Sequence, residues 1–150
     1  MKNNGLVSLS DYPYTQRDGS CKSGVRKMSQ KIRSNSFESP NGNEEDLKRI
    51  LANVGPAVVS IYIVDSFYQY KSGVYFDQSC PKDCGTTHHA VLLVGYGTDK
   101  TSFKQHADYW IIKNSWGSSW GEAGYIKMIR GWKGMENNCN IACYARYAVV

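Results

Sequence analysis

The chain changes its apolar period once, at Gly55-Pro56, and that change limits the folds open to it. Before it, Leu47, Ile50, Leu51 and Val54 recur at i, i+3, i+4 and i+7, the spacing of one helix face over 44–54. Asn43 is placed to cap this helix, and Glu44, Glu45 and Asp46 fill its first turn, where the helix dipole favours anions. Gly55 followed by proline ends it. After Pro56 the apolar residues come in short runs between glycine-rich turns. Residues 57–64, 89–96, 108–114, 124–130 and 144–149 read as strands, and 66–71 as a short helical turn. Residues 1–42 are dense in turn formers and read as loop with short strands around 25–38. One good helix against a mostly antiparallel sheet or barrel is an α+β arrangement.

Several classes fall away. The longest apolar runs, Ala57–Val64 and Ala90–Val94, are far too short to span a bilayer, so no membrane is expected. Hydrophobic residues are 41% of the chain, enough to build a core, which argues against disorder. The net charge of +5 has part of its excess early, in Lys22, Arg26, Lys27, Lys31 and Arg33. No helix-turn-helix or RNA-binding signature accompanies these residues, so they read as a solvated face and no nucleic acid is expected. The five cysteines (Cys21, Cys80, Cys84, Cys139, Cys143) form no C-x-x-C pair, and only His88, His89 and His106 could complete a metal set. Neither a metal nor another cofactor is expected. That cysteine count favours a disulfide-permitting compartment and leaves one thiol over. No apolar leader follows Met1, so the sequence reads as a mature product or as a chain lacking its beginning.

Two segments carry chemistry. In His88-His89-Ala90 an imidazole stands at the start of an apolar strand, where a sheet can hold it rigidly. In the segment from Tyr109 to Tyr125, Asn114 sits between an apolar strand and a glycine turn, flanked by Trp116 and Trp120. An amide oxygen there can accept an imidazole N–H while an indole keeps water off the bond. Each segment alone also fits a bland reading, a surface histidine or an aromatic turn.

Together the two segments resemble the histidine and asparagine motifs of the papain-like cysteine proteases, the cathepsin L-like branch above all. Asp11-Tyr-Pro-Tyr14, Val54-Gly-Pro56 and Tyr70-Lys-Ser-Gly-Val-Tyr75 resemble the family as well. The resemblance implies a papain-like fold: mainly the antiparallel β-barrel (right) lobe, with the N-terminal helical lobe mostly missing. Residues of about 1–22 would be the tail of the left lobe and about 23–150 the barrel lobe. It implies a cysteine-type endopeptidase in which His89 is general base and acid, Asn114 holds its ring and Trp116 shields that bond. Peptide or protein substrates and cystatin-like inhibitors would be its partners. The complete domain would be a monomer, lysosomal or extracellular.

The family's nucleophile lies in a Cys-Gly-Ser-Cys-Trp segment, about 130–150 residues before the histidine. None of the five cysteines has that context, so this chain alone is expected to be inactive. The other reading is a truncated, inactive paralogue that binds peptides, inhibitors or a partner. By resemblance Cys80 pairs with Cys139 and Cys21 is the orphan, which leaves Cys84 and Cys143 for an extra bridge. Sequence alone permits three pairings of these four. Two departures stand out: His88 where Asp or Asn is usual, and Asn140 where Gly is usual. Thr87, Ile63 and Tyr144 map by resemblance to the walls and floor of the specificity pocket, and a tyrosine there implies a shallow one.

Overall fold

The computed structural model describes residues 7–15, 17–25, 27, 34–38, 41–100, 107–134 and 136–149. Residues 1–6, Arg26, residues 28–33 and His106 lie outside these, and with them part of the early basic run and of the strand expected around 25–38. The chain divides into two compact units. One comprises Met1–Ser36 with Ala148–Val150, the other Phe37–Tyr147.

The helix forms where its spacing places it, as α1 (Glu44–Asn53). Asn43 accepts the N–H groups of Glu45 and Asp46 at 3.0 and 3.3 Å, satisfying two of the amides a helix start leaves unpaired. Leu47, Ile50 and Leu51 are buried, whereas Val54 lies at the C-cap and is 42% exposed. Glu44 is not a solvent-facing first-turn acid. It sits one turn before Leu47 on the inward face and is buried. Its carboxylate accepts the Trp110 indole N–H at 3.2 Å and the Gly131 amide.

Burial pushes the Glu44 carboxyl above its ordinary value, and the donors from Gly131 and Trp110 only partly pull it back. An acid raised in the fold is most stabilising while protonated. Its contribution is full below the unfolded value of about 4.3 and is lost as pH rises through the folded one. The urea midpoint is therefore expected to fall as pH rises above about 4.3. Glu44→Gln should flatten that part of the profile, and an unchanged slope in this variant would refute the assignment.

Among the described residues one strand precedes the helix, β1 (Ser34–Glu38), and six follow it: β2 (Ala57–Ile61), β3 (Val74–Tyr75), β4 (His89–Asp99), β5 (Ala107–Lys113), β6 (Tyr125–Ile129) and β7 (Ala145–Val149). They form one sheet in the order β1-β7-β2-β4-β5-β6-β3. The β2–β4, β2–β7, β4–β5 and β5–β6 pairings are antiparallel, and β3 runs parallel to β6. The turn expected at 66–71 is the short helix α2 (Asp65–Tyr68).

Alternation along β2 and β4 sorts the residues that matter. Ala57, Val59 and Ile61 pair with Leu93, Val91 and His89. The apolar members of this set are buried. On the other face Val58 and Ser60 lie opposite Leu92 and Ala90 and are more open. Since successive side chains alternate, His89 points to the core face and His88 to the opposite one. Among the described residues no helix is long and apolar enough to cross a membrane.

Candidate active site

The sheet delivers two side chains to one place. His89 opens β4, and Asn114 follows directly on β5, the antiparallel neighbour of β4. The Asn114 amide N–H bonds to Gly124 O at 2.9 Å, which fastens the turn that leaves the strand. That turn needs left-handed backbone. At Gly121 (φ +56) an added Cβ would stand 2.6 Å from Tyr125 O, so no other residue fits without displacing backbone.

His89 Nε2 lies 2.9 Å from Asn114 Oδ1. The Ser115 amide N–H also donates to that oxygen, at 2.8 Å, which fixes the amide's orientation. Both contacts therefore meet an acceptor, so Nε2 carries the proton and donates. This leaves Nδ1 as the ring's basic nitrogen. Asn114 is buried, and among the described residues its Nδ2 has no hydrogen-bond partner.

Aromatic rings enclose the pair. Trp116 lies 5.1 Å from the His89 ring, and buried Phe67 meets it edge-on at 6.3 Å. Trp116 is in turn stacked on Tyr68 at 5.1 Å with planes 3° apart and packs edge-on against Trp120 at 5.2 Å. This cover keeps competing water from the His89–Asn114 bond. The sequence reading assigned no role to Phe67 and Tyr68. Their signal was weak, an Asp-Ser-Phe-Tyr stretch that makes only one turn of helix. A groove of about 270 Å³ opens beside Asn114, lined by Val58, Ala90, Leu92 and Lys113 among others.

The remaining sequence-selected residues spread around this pair. His88 does not share the site with His89; its ring lies on Tyr62 at 4.6 Å, as strand alternation requires. Thr87 and Ile63 are half-buried, and Ile63 packs against the core. The Tyr144 hydroxyl donates to Cys84 O at 3.2 Å, so the ring is anchored on the loop before His88. Cys80–Cys139 and Cys84–Cys143 are disulfides, and Cys21 is a free, exposed thiol. Among the described residues no group of His, Cys, Asp and Glu is arranged to hold a metal ion.

Taken over its whole length, the chain is similar to a known family. The model described as "Papain family cysteine protease" matches residues 1–149. The chain belongs to the papain family of cysteine proteases. It is 40% identical over 149 residues to a cathepsin L-like protein of Caenorhabditis elegans, covering 99% of this chain and 41% of that protein. It is 42% identical over 146 residues to cathepsin S of Bos taurus, covering 97% of this chain and 40% of that protein. Among solved structures, digestive procathepsin L 3 of the Tenebrio molitor larval midgut superposes with a TM-score of 0.83 at 35% identity. That match covers 99% of this chain and 45% of the solved one. The chain thus spans about two-fifths of the length of the curated relatives it matches.

Proposed function

We propose that this chain carries the histidine–asparagine half of a cysteine endopeptidase site. The observation that carries the reading is the His89 Nε2–Asn114 Oδ1 bond of 2.9 Å, with Nδ1 left as the base. In this reading Nδ1 takes the proton of a cysteine thiol. The thiolate attacks the peptide carbonyl, and the imidazolium returns the proton to the leaving amine. Water then hydrolyses the thioester, with His89 again as base. Asn114 keeps the ring in the donating tautomer, and Trp116 keeps that bond dry.

The nucleophile is a cysteine outside these 150 residues. Four of the five cysteines are spent in disulfides, and Cys21, in a Ser-Cys-Lys context, lacks the family's tryptophan. The chain by itself is therefore catalytically silent. Residues of about 1–22 belong to the left lobe and the remainder to the barrel lobe. Two disulfides fit a lysosomal or extracellular protein. Peptide or protein substrates are its targets, cystatin-like proteins its inhibitors, and a monomer its working form.

The test starts from native protein captured with an antibody to residues 109–128. The captured species is expected to hydrolyse a fluorogenic peptide and to be labelled on one cysteine by an epoxide that traps thiolates. The isolated 150-residue chain is expected to do neither. Native protein that is silent in both assays would overturn the peptidase reading in favour of a binding paralogue. Hydrolysis by the isolated chain would overturn the assignment of the nucleophile.

Specificity gives a second expectation. Tyr144, anchored on the loop that carries Thr87, floors a shallow pocket, with Thr87 and Ile63 as its walls. Substrates with Val or Leu at P2 should be cleaved with higher kcat/KM than those with Phe. A clear preference for Phe would sink this assignment.

A further inference from the structure

The loop leading into His89 is fastened by side-chain amides and sulfur. Two disulfides, each closing 59 residues of sequence, tie Cys80 and Cys84 to Cys139 and Cys143. Asn140, wholly buried, accepts Cys84 N–H at 3.1 Å and donates to Thr86 O at 3.3 Å. Asn137 donates to Lys82 O at 2.9 Å. Two residues beyond Thr86, the His88 N–H bonds to Ile61 O at 3.1 Å, and β4 begins.

The two bridges sit in different surroundings. Cys80 and Cys139 are 4% and 0% exposed, whereas Cys84 is only half-buried. The amides beside them also differ: each bridge has an Asn Oδ1 at 3.5 Å from one sulfur, but among the described residues an Asn N–H lies against the sulfurs only at Cys84–Cys143. Asn137 Nδ2 lies 3.2 Å from Cys143 Sγ and 3.6 Å from Cys84 Sγ, with its Oδ1 at 3.5 Å from Cys143 Sγ. The Ala142 N–H donates to that Oδ1 at 2.8 Å, so the amide's orientation is set. At the other bridge, Asn138 donates through Nδ2 to Asp77 O at 2.9 Å and turns Oδ1 toward Cys139 Sγ at 3.5 Å. A donor beside sulfur gains strength when the sulfur becomes a thiolate, and an acceptor beside it opposes that charge.

We propose that Cys84–Cys143 is a thiol-sensitive clamp on the candidate active site. A thiol of the glutathione class opens it before Cys80–Cys139, and its opening loosens the loop that positions His89. The regulatory meaning rests on the peptidase reading; the thiol chemistry does not. The external thiolate attacks Cys84 Sγ, the S–S bond breaks, and the electron pair leaves on Cys143 Sγ against the Asn137 N–H. A second external thiolate attacks the sulfur of the first in the mixed disulfide and expels Cys84 as thiolate. One protein disulfide is reduced to two thiols, and two external thiols are oxidised to one disulfide. Their two protons end on Cys84 and Cys143.

The experiment exposes the oxidised 150-residue chain to rising reduced glutathione, quenches with iodoacetamide and maps the alkylated peptides. NMR of the histidine ring signals runs in parallel. Cys21 is expected to be alkylated throughout. Cys84 and Cys143 should be alkylated together at about tenfold less glutathione than Cys80 and Cys139. The His89 ring signal should shift or broaden over the same range. Asn137→Asp keeps an oxygen for the Ala142 N–H and puts a second one at Cys143, so it should slow the opening about tenfold. If that variant does not fold, the wild-type map decides alone. Simultaneous opening, earlier opening of Cys80–Cys139, or selective opening with the His89 signal unmoved would each overturn the clamp. Failure of the peptidase reading would show instead in the native-protein assays and would leave this thiol map untouched.

Discussion

His89→Ala, placed in the native protein, is expected to cut peptide hydrolysis by about 10²–10⁴-fold while leaving the thermal midpoint nearly unchanged. The fold should survive because His89 stands at the first residue of β4 and is only half-buried, so its removal leaves no sealed cavity. The chemistry should not survive, because no other described titratable side chain bonds to Asn114 beneath the tryptophan. Asn114→Ala makes a graded comparison. It removes one hydrogen bond from the ring and leaves the Ser115 N–H without its acceptor. Its expected cost is about tenfold in kcat with KM little changed, since the ring remains but its orientation loosens. The informative quantity is the order of the two effects. If Asn114→Ala proved as damaging as His89→Ala with the midpoint preserved, the asparagine would be doing more than orienting the ring. If His89→Ala left hydrolysis intact, the proposed roles would be wrong.

The helix was legible from its short period, with its cap at Asn43. His89 and Asn114 were singled out by the resemblance of their segments to the papain-like motifs, since each segment alone also fits a bland reading. Long-range polar contacts have no period, so the asparagines at 137, 138 and 140 gave no sign that they would seize the backbone of residues 77–86. The two-residue strand β3 was too short to announce itself, and its parallel pairing with β6 depends on a partner more than 50 residues away. Glu44 was legible as a first-turn acid, but its burial was not, because first-turn acids are so often explained by the helix dipole alone. Its spacing from Leu47 places it on the inward face, and burial there is made tolerable by the Gly131 amide together with a donor from a distant strand.

That donor is Trp110, and Trp110→Ala should be among the most destabilising single changes in the chain. The side chain is fully buried on β5. Its indole N–H serves Glu44 of α1 at 3.2 Å, its ring meets Tyr96 of β4 edge-on at 6.3 Å, and the Arg130 guanidinium lies 5.4 Å from its centroid. Truncation should cost about 3–5 kcal/mol from the cavity alone. It also leaves a buried carboxylate short of one donor, which adds about 1–3 kcal/mol. Against a typical domain stability of about 5–15 kcal/mol, that is enough to unfold a marginal chain. Trp110→Phe separates the two terms, because it keeps most of the ring and loses only the N–H. Urea unfolding of Trp110→Phe, Glu44→Gln and the double variant should give a coupling of about 0.5–3 kcal/mol. Additive effects would mean that the Trp110–Glu44 hydrogen bond does not couple helix to sheet. A Trp110→Ala variant with an unchanged urea midpoint would mean that α1 is not docked on this sheet through Trp110.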